Sequence, residues 1–321
     1  MTLRKPPREA RTRATGRLLL LVVLVALAGV AVWSAVTAQR IELIERTRYR
    51  DLELTESVEV GELIVNLVED RAGIPQIVLL HDADVAGSIL WDGVVAEIPE
   101  PYGIVRVDLP GFGLSSRIPE PGPQHTVARL AEVVSEVLAS RPTPAILAGV
   151  GLGGQVAAEI AIARPELVSG LVLVDVDFWD TDDWIEILEG LPWLGRALTH
   201  TLETGGTLNA DRWAPHCEEG GWCPTVEQAE MRDLRETVED TTDSFYGYVR
   251  TAPASQVPSR LDQVTVPVVF VHSSKGAVPT ASVERIIEEE LPEMTVVEVD
   301  VWQAHLERPE VVALWIVTIA G

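Results

Sequence analysis

The sequence predicts an α/β fold: a mostly parallel sheet with helices on both faces, a helical cap insertion and an N-terminal transmembrane helix. Three features of the 321 residues point there. From residue 57 onward short apolar runs alternate with amphipathic ones, between 178 and 258 that rhythm stops, and near the N-terminus a long run carries no charge. Apolar strands without polar alternation are buried on both faces, and a parallel sheet enclosed by helices is the architecture that buries them. An apolar share of 47% suits a core-forming chain, one large domain with an insertion or two modest ones.

Residues 1–17 form a basic tail, with Arg4, Lys5, Arg8, Arg11, Arg13 and Arg17 against the single acid Glu9. The uncharged run Leu18–Ala38 follows. Its 21 residues, as a helix rising 1.5 Å per residue, span about 31 Å, the thickness of a bilayer's hydrocarbon core. No polar face interrupts it, which argues against a buried core helix. By the positive-inside rule the tail is cytoplasmic and the rest lies outside, a single-pass protein of the cell membrane. Val36 and Ala38 offer a cleavage site before Gln39, but the run exceeds a signal peptide's usual apolar region, so an uncleaved anchor is expected. Residues 39–56, beginning "QRIELIERTRYR", read as a juxtamembrane segment with a short helix of its own.

The net charge is −24, and because the first 38 residues contribute +5, the remainder carries −29. Such a body repels nucleic acid and anionic surfaces, and its acidity serves solubility. The two cysteines, Cys217 and Cys223 in "HCEEGGWCP", suit a small disulfide loop on the oxidising side of a membrane. With His216 they offer three metal ligands, but the spacing is not a zinc pattern, and no metal is expected.

The strands expected in order are "ELIVNLV", "QIVLL", "GIVRVD", "AILAG", "GLVLVDV", "VPVVFVH" and "MTVVEV". Helical segments between them include "HTVARLAEVVSEVLAS", "GGQVAAEIAIAR", "TASVERIIEEE" and "RPEVVALWIVTI". The opening strands are close enough to pair as a hairpin. The core thus divides into 57–177 and 259–321, around a cap at 178–258 that holds Trp179, Trp184, Trp193, Trp213 and Trp222. These tryptophans either form the cap's small core or line a pocket between cap and sheet.

The turn Gly149-Val150-Gly151-Leu152-Gly153-Gly154 fits G-x-G-x-x-G between a strand and a helix, and Asp175 stands 21 residues beyond Gly154. A dinucleotide fold places a ribose-binding acid there and the pyrophosphate on the helix N-terminus.

A second reading explains more of the chain. "IVLLHDAD", "VRVDLPGFGLSSR", "TVARLAEVV", the glycine turn, "RPELVSGLVLVDVD", "VPVVFVHSSKGAVP" and "AHLERPEVV" occur in an order and spacing that resembles the α/β-hydrolase family over residues 57 to 321. The resemblance makes the turn a nucleophile elbow, G-x-S-x-G, with Gly151 where the family has its serine. Aligned on Val278-Pro279, the family's acid position holds Lys275, and the base position holds Trp302, with His305 as the motif's second histidine. Glycine has no atom to attack with, an indole N–H accepts no proton, and a lysine repels the imidazolium an acid would orient. The oxyanion-hole amides fall to Leu152 and to Ala83, which Asp82 and Asp84 flank. Carboxylates there raise the energy of a developing oxyanion.

The resemblance therefore implies a hydrolase scaffold without hydrolysis by the family's route, acting without a cofactor. Its role would be to bind an apolar small ligand or a protein partner, with His81, Asp82, Gly151, Leu152 and Trp302 as the candidate pocket. The alternatives are a hydrolase or lyase with relocated groups, and a dinucleotide binder at Gly149–Gly154. Candidates for relocation are His81 with Asp82 and Asp84, and the acids Asp175, Asp177, Asp180, Asp182 and Asp183. His272, His305, Ser88, Ser115 and Ser116 read as structural. A Trp302 that fills the space above Gly151 would favour a surface-interaction protein, and an open apolar pocket a ligand binder.

Overall fold

The computed structural model describes residues 8–52, 54, 56–119, 122–178, 194–201, 217, 222–251, 257–276, 278–286, 291 and 293–321. Helix α1 runs unbroken from Arg8 to Ile44. Within it Leu19–Ile44 is long and apolar enough to cross a membrane, with a mean hydropathy of 2.7. The first part of the juxtamembrane segment therefore continues α1, and its separate helical element is only the 3-10 turn Tyr49–Asp51. No proline interrupts "TAQRIELI", and its residues propagate the helix that the apolar run begins.

Eight strands form one sheet: β1 (Glu56–Val60), β2 (Leu63–Arg71), β3 (Gln76–Leu80), β4 (Gly103–Val107), β5 (Ala145–Val150), β6 (Val168–Val174), β7 (Val268–Ser273) and β8 (Thr295–Val299). Their order is β1-β2-β4-β3-β5-β6-β7-β8. β1 and β2 are antiparallel, β2 meets β4 antiparallel, and every later pairing is parallel. β1 was not among the expected strands, because "ESVEV" alternates charge with valine and makes no apolar run. It supplies the hairpin, through Gly61 at φ +64°. β2 and β3, the first two strands expected, do not pair; β4 lies between them.

Helices α2 (Asp92–Glu97), α3 (Val127–Ala139) and α4 (Leu152–Ala163) follow β3, β4 and β5. Leu130, Val133, Val134, Val137 and Leu138 make the buried stripe of α3 at helical spacing, and Thr126 caps it by accepting the Arg129 N–H at 3.3 Å. With α4 this stripe closes one face of the sheet over a core that includes Leu80, Val107, Leu147 and Leu173. The other face, with Leu79, Ile104, Ile146 and Val172, is covered by α2 and the C-terminal helix Pro309–Ala320. Each such side chain contributes about 1.5–3 kcal/mol on burial.

The described part of the cap is helical: α5 (Gly195–Thr199), α6 (Val226–Glu236) and α7 (Thr241–Thr251). A capping box between Thr225 and Gln228 starts α6. Cys217 and Cys223 are joined in a disulfide, their Cα atoms 5.2 Å apart. Of the five cap tryptophans only Trp222 is described, and it is half-buried; the other four lie outside the described residues, as does His216.

The end of α1 docks on this cap. Thr37 and Ile41, one turn apart, are buried, and α1 packs against α5. Thr47 then donates its N–H to Thr237 O (2.9 Å) and accepts the Glu239 N–H (2.8 Å), while Glu45 accepts the Thr242 N–H at the start of α7 (2.8 Å).

Candidate functional site

β5 ends at Val150 and α4 begins at Leu152, so Gly151 alone makes the corner, at φ 50° and ψ −117°. A side chain is strained in that backbone region, and such corners present the next helix's first amides above the sheet edge. The neighbouring glycines serve close approach. A Cβ on Gly149 would overlap the backbone of Gly153, and one on Gly153 would overlap the carbonyl of Leu80.

The space above Gly151 is taken by Asp82, from the loop after β3. Its Oδ1 accepts the Leu152 N–H at 2.8 Å, and a Cβ on Gly151 would overlap both its oxygens and the carbon between them. A carboxylate thus occupies the helix N-terminus, where its charge is favourable and where an anion would otherwise bind. Trp302 does not fill this space. It is 52% exposed, and its backbone N–H donates to the Glu307 carboxylate at 2.8 Å. Of the candidate pocket, His81, Asp82, Gly151 and Leu152 stand at the corner and Trp302 faces solvent; Ala83, expected at an oxyanion position, packs partly buried against the core. Lys275 also lies at the surface, its ammonium 3.2 Å from the Asp300 carboxylate.

The ring nitrogens of His81 bond backbone groups and not a carboxylate. Its Nε2 accepts the Leu109 N–H at 2.9 Å, so Nδ1 carries the proton and donates it to the backbone oxygen of Asp82 at 2.5 Å. The contact is with Asp82's carbonyl, not its carboxylate. Burial lowers the pKa of His81, against the pull of nearby Asp108. Asp84 accepts the Ala86 N–H at 2.7 Å in its own turn.

Asp175 is likewise committed. Its two oxygens accept the Ser273 N–H and the Ser273 hydroxyl, both at 2.6 Å, and that hydroxyl accepts the Ala304 N–H at 2.8 Å. This joins β6, β7 and the short helix Ala304–Glu307, and it corrects the ribose-acid expectation for Asp175. Burial raises its pKa. The backbone carbonyl of Asp177 receives Gln155 Nε2 at 2.8 Å; Asp180, Asp182 and Asp183 lie outside the described residues.

His272 and His305 are both buried. His305 lies against the Trp91 ring, centroids 5.6 Å apart, and burial pushes its pKa down to about 4. Ser115 donates to Asp108 O at 2.5 Å, Ser116 accepts the Ile64 N–H at 2.8 Å, and Ser88 is buried. Among the described residues no group of three His, Cys, Asp or Glu gathers as a metal site.

Sequence reasoning missed the Asp108–Arg235 pair. Asp108 follows β4 and accepts the Ser88 N–H (2.8 Å), Asn66 Nδ2 (2.8 Å) and the Leu114 N–H (2.9 Å). Arg235, buried on α6, lies 3.6 Å from its carboxylate and donates to the Ala86 carbonyl. Burial alone would raise Asp108; the Arg235 charge, His81 and the amides hold it at about 2. Asp108 stands in "VRVDLPGFG", but nothing local marks a partner in the cap.

Residues 77–313 match the family model described as the alpha/beta hydrolase family. A pimeloyl-[acyl-carrier protein] methyl ester esterase of Nitrosomonas europaea is 25% identical over 240 residues, 70% of this chain and 86% of that protein. One of Pseudoalteromonas atlantica is 35% identical over 116 residues, which are 35% of this chain and only 42% of that protein's length. Among solved structures, a hydrolase from Pseudomonas aeruginosa PA01 superposes with a TM-score of 0.64 at 18% identity, covering 83% of this chain and 98% of the other. A membrane phospholipase A superposes with a TM-score of 0.60 at 21% identity, covering 96% and 97%. Likeness at such identities speaks for the fold, and the family model spans well over half the sequence. The chain belongs to the alpha/beta hydrolase family.

Proposed function

We propose that this protein is a membrane-anchored, extracytoplasmic member of the family that acts by binding and does not hydrolyse by the family's route. The observation that carries the reading is the Asp82 carboxylate on the Leu152 N–H, directly over Gly151. Hydrolysis at this corner needs a nucleophile above the turn and free amide donors for the oxyanion. Gly151 has no side chain, the amide is occupied, and a second negative charge beside Asp82 is repelled. Lys275 and Trp302, aligned with the acid and base positions, supply neither an acid nor a base. With the corner filled by Asp82, a protein partner held on the cap and sheet surface fits better than a small apolar ligand beneath the cap. The six basic residues before the span favour a cytoplasmic N-terminus.

The relatives' names favour a second reading, a carboxylic ester hydrolase, on a corner that has moved its chemistry. Assay of the full-length protein in detergent with p-nitrophenyl butyrate and a dicarboxylate monomethyl ester separates the two. Rates equal to buffer are expected; turnover that Asp82→Asn abolishes would overturn the binding reading.

A further inference from the structure

The arginines just beyond the apolar run differ from most of those in the soluble body. In a body with so large an excess of acid, Arg71, Arg106, Arg129, Arg141, Arg196 and Arg260 each hold a carboxylate. Arg40, Arg46 and Arg48 are exposed, and none forms an ion pair among the described residues. They are also concentrated: with Arg50 they place four basic residues within residues 40–50.

The fold holds them in place. Thr47 bonds the cap through its N–H, its carbonyl and its hydroxyl, the last to Thr237 Oγ1 at 2.8 Å. In an extended segment alternate side chains point opposite ways, so Arg46 and Arg48 project away from the cap as Thr47 projects onto it. Glu45 is turned onto Thr242 of the cap, which leaves Glu42 as the exposed acid among them. Leu43, 59% exposed, adds an apolar side chain to the same segment. Beyond Ala38, the helix to Ile44 rises about 9 Å, close to one headgroup layer of about 5–8 Å. Arginines at that height, beside an exposed leucine, match phosphodiester headgroups in charge and position.

We propose that Arg40, Arg46 and Arg48 form a collar that binds anionic phospholipid headgroups of the bilayer crossed by α1; this rests on α1 being a membrane anchor. The collar reverses, locally, the repulsion between the acidic body and an anionic surface, and it sets the height of the cap above the membrane. Because Thr47 ties the collar to the cap, headgroup binding and cap position are coupled.

The test uses the full-length protein and its R40Q/R46Q/R48Q variant in vesicles of phosphatidylcholine with spin-labelled phosphatidylglycerol or phosphatidylcholine. The expected wild-type preference for phosphatidylglycerol is several-fold, with at least half of it lost in the variant and the remainder due to the N-terminal basic tail. A variant that keeps the whole preference, or a wild type with none, overturns the proposal. Insertion of both proteins into pure phosphatidylcholine vesicles, resistant to alkaline carbonate, tests the anchor itself, so failure there is distinguishable from failure of the collar.

Discussion

Asp82 and Asp108 follow adjacent parallel strands, β3 and β4, whose last residues Leu80 and Val107 are in register. Their surroundings differ. Asp108 is fully buried, receives three hydrogen bonds and an arginine, and ties the cap to the sheet. Asp82 is half-buried, has one amide donor, and stands over a glycine that cannot bear a side chain beside it. One carboxylate is an internal fastener; the other sits on the N-terminus of α4, where a negative charge is favourable. The donors gathered around each, rather than the residue type, make the difference.

The largest effect should come from the fastener. Asp108→Ala leaves Arg235 buried without its counter-charge, and a loss of about 3–5 kcal/mol is expected, measured by denaturant unfolding of the detergent-solubilised protein. The same change at half-buried Asp82, with its single amide donor, should cost far less. If the two losses are equal, the contrast fails.

Acid should act next. His305 is neutral when folded, with its pKa at about 4, and ordinary, near 6.5, when unfolded. The unfolded state therefore binds the extra proton between those values, so stability falls as the pH drops from 6.5 towards 4, by about 3 kcal/mol in all. Asp108 has the opposite environment and adds its loss only below its unfolded value, as pH falls through about 2. Melting temperatures of His305→Phe should fall less steeply than those of the parent over the upper window, where burial also lowers His81, His125 and His200, and should still collapse in the lower one.

A smaller effect sharpens the Asp82 side. Gly151→Ser places a side chain in strained backbone and against Asp82, at an expected cost of about 1–3 kcal/mol. Adding Asp82→Gly should recover part of it, with a coupling of about 0.5–3 kcal/mol in a double-mutant cycle. Strict additivity would mean that Asp82 does not occupy the corner in solution. The smallest change is Thr225→Ala, which removes one half of the α6 capping box for about 1 kcal/mol and should loosen the cap alone.

Most of the sheet was legible because burial on both faces leaves a local mark: "QIVLL", "AILAG" and "VPVVFVH" are apolar runs of strand length. β1 left none, since its exposed positions carry serine and glutamate, and the hairpin was assigned to the wrong strands as a result. The juxtamembrane helix was expected to be separate because its composition changes at Gln39, although helix propagation depends on backbone continuity and not on polarity. At the site, Gly151, Asp82 and Leu152 were legible as members. The partners that Asp175, His81 and Asp82 take, Ser273, the Leu109 amide and the Leu152 amide, were not legible because each lies far along the chain.

The sequence by itself determined the strand–helix rhythm, the cap insertion, a span long enough for a bilayer, and the absence of any side-chain atom at residue 151. These are local properties, written in periodicity, length and residue type. Only the tertiary structure decided that Asp82 stands over Gly151, that Trp302 does not, that Arg235 neutralises Asp108 across the cap, and that Thr47 turns two arginines outward. Each of those depends on which distant segment fills a given space, and close packing settles that only once the chain has folded.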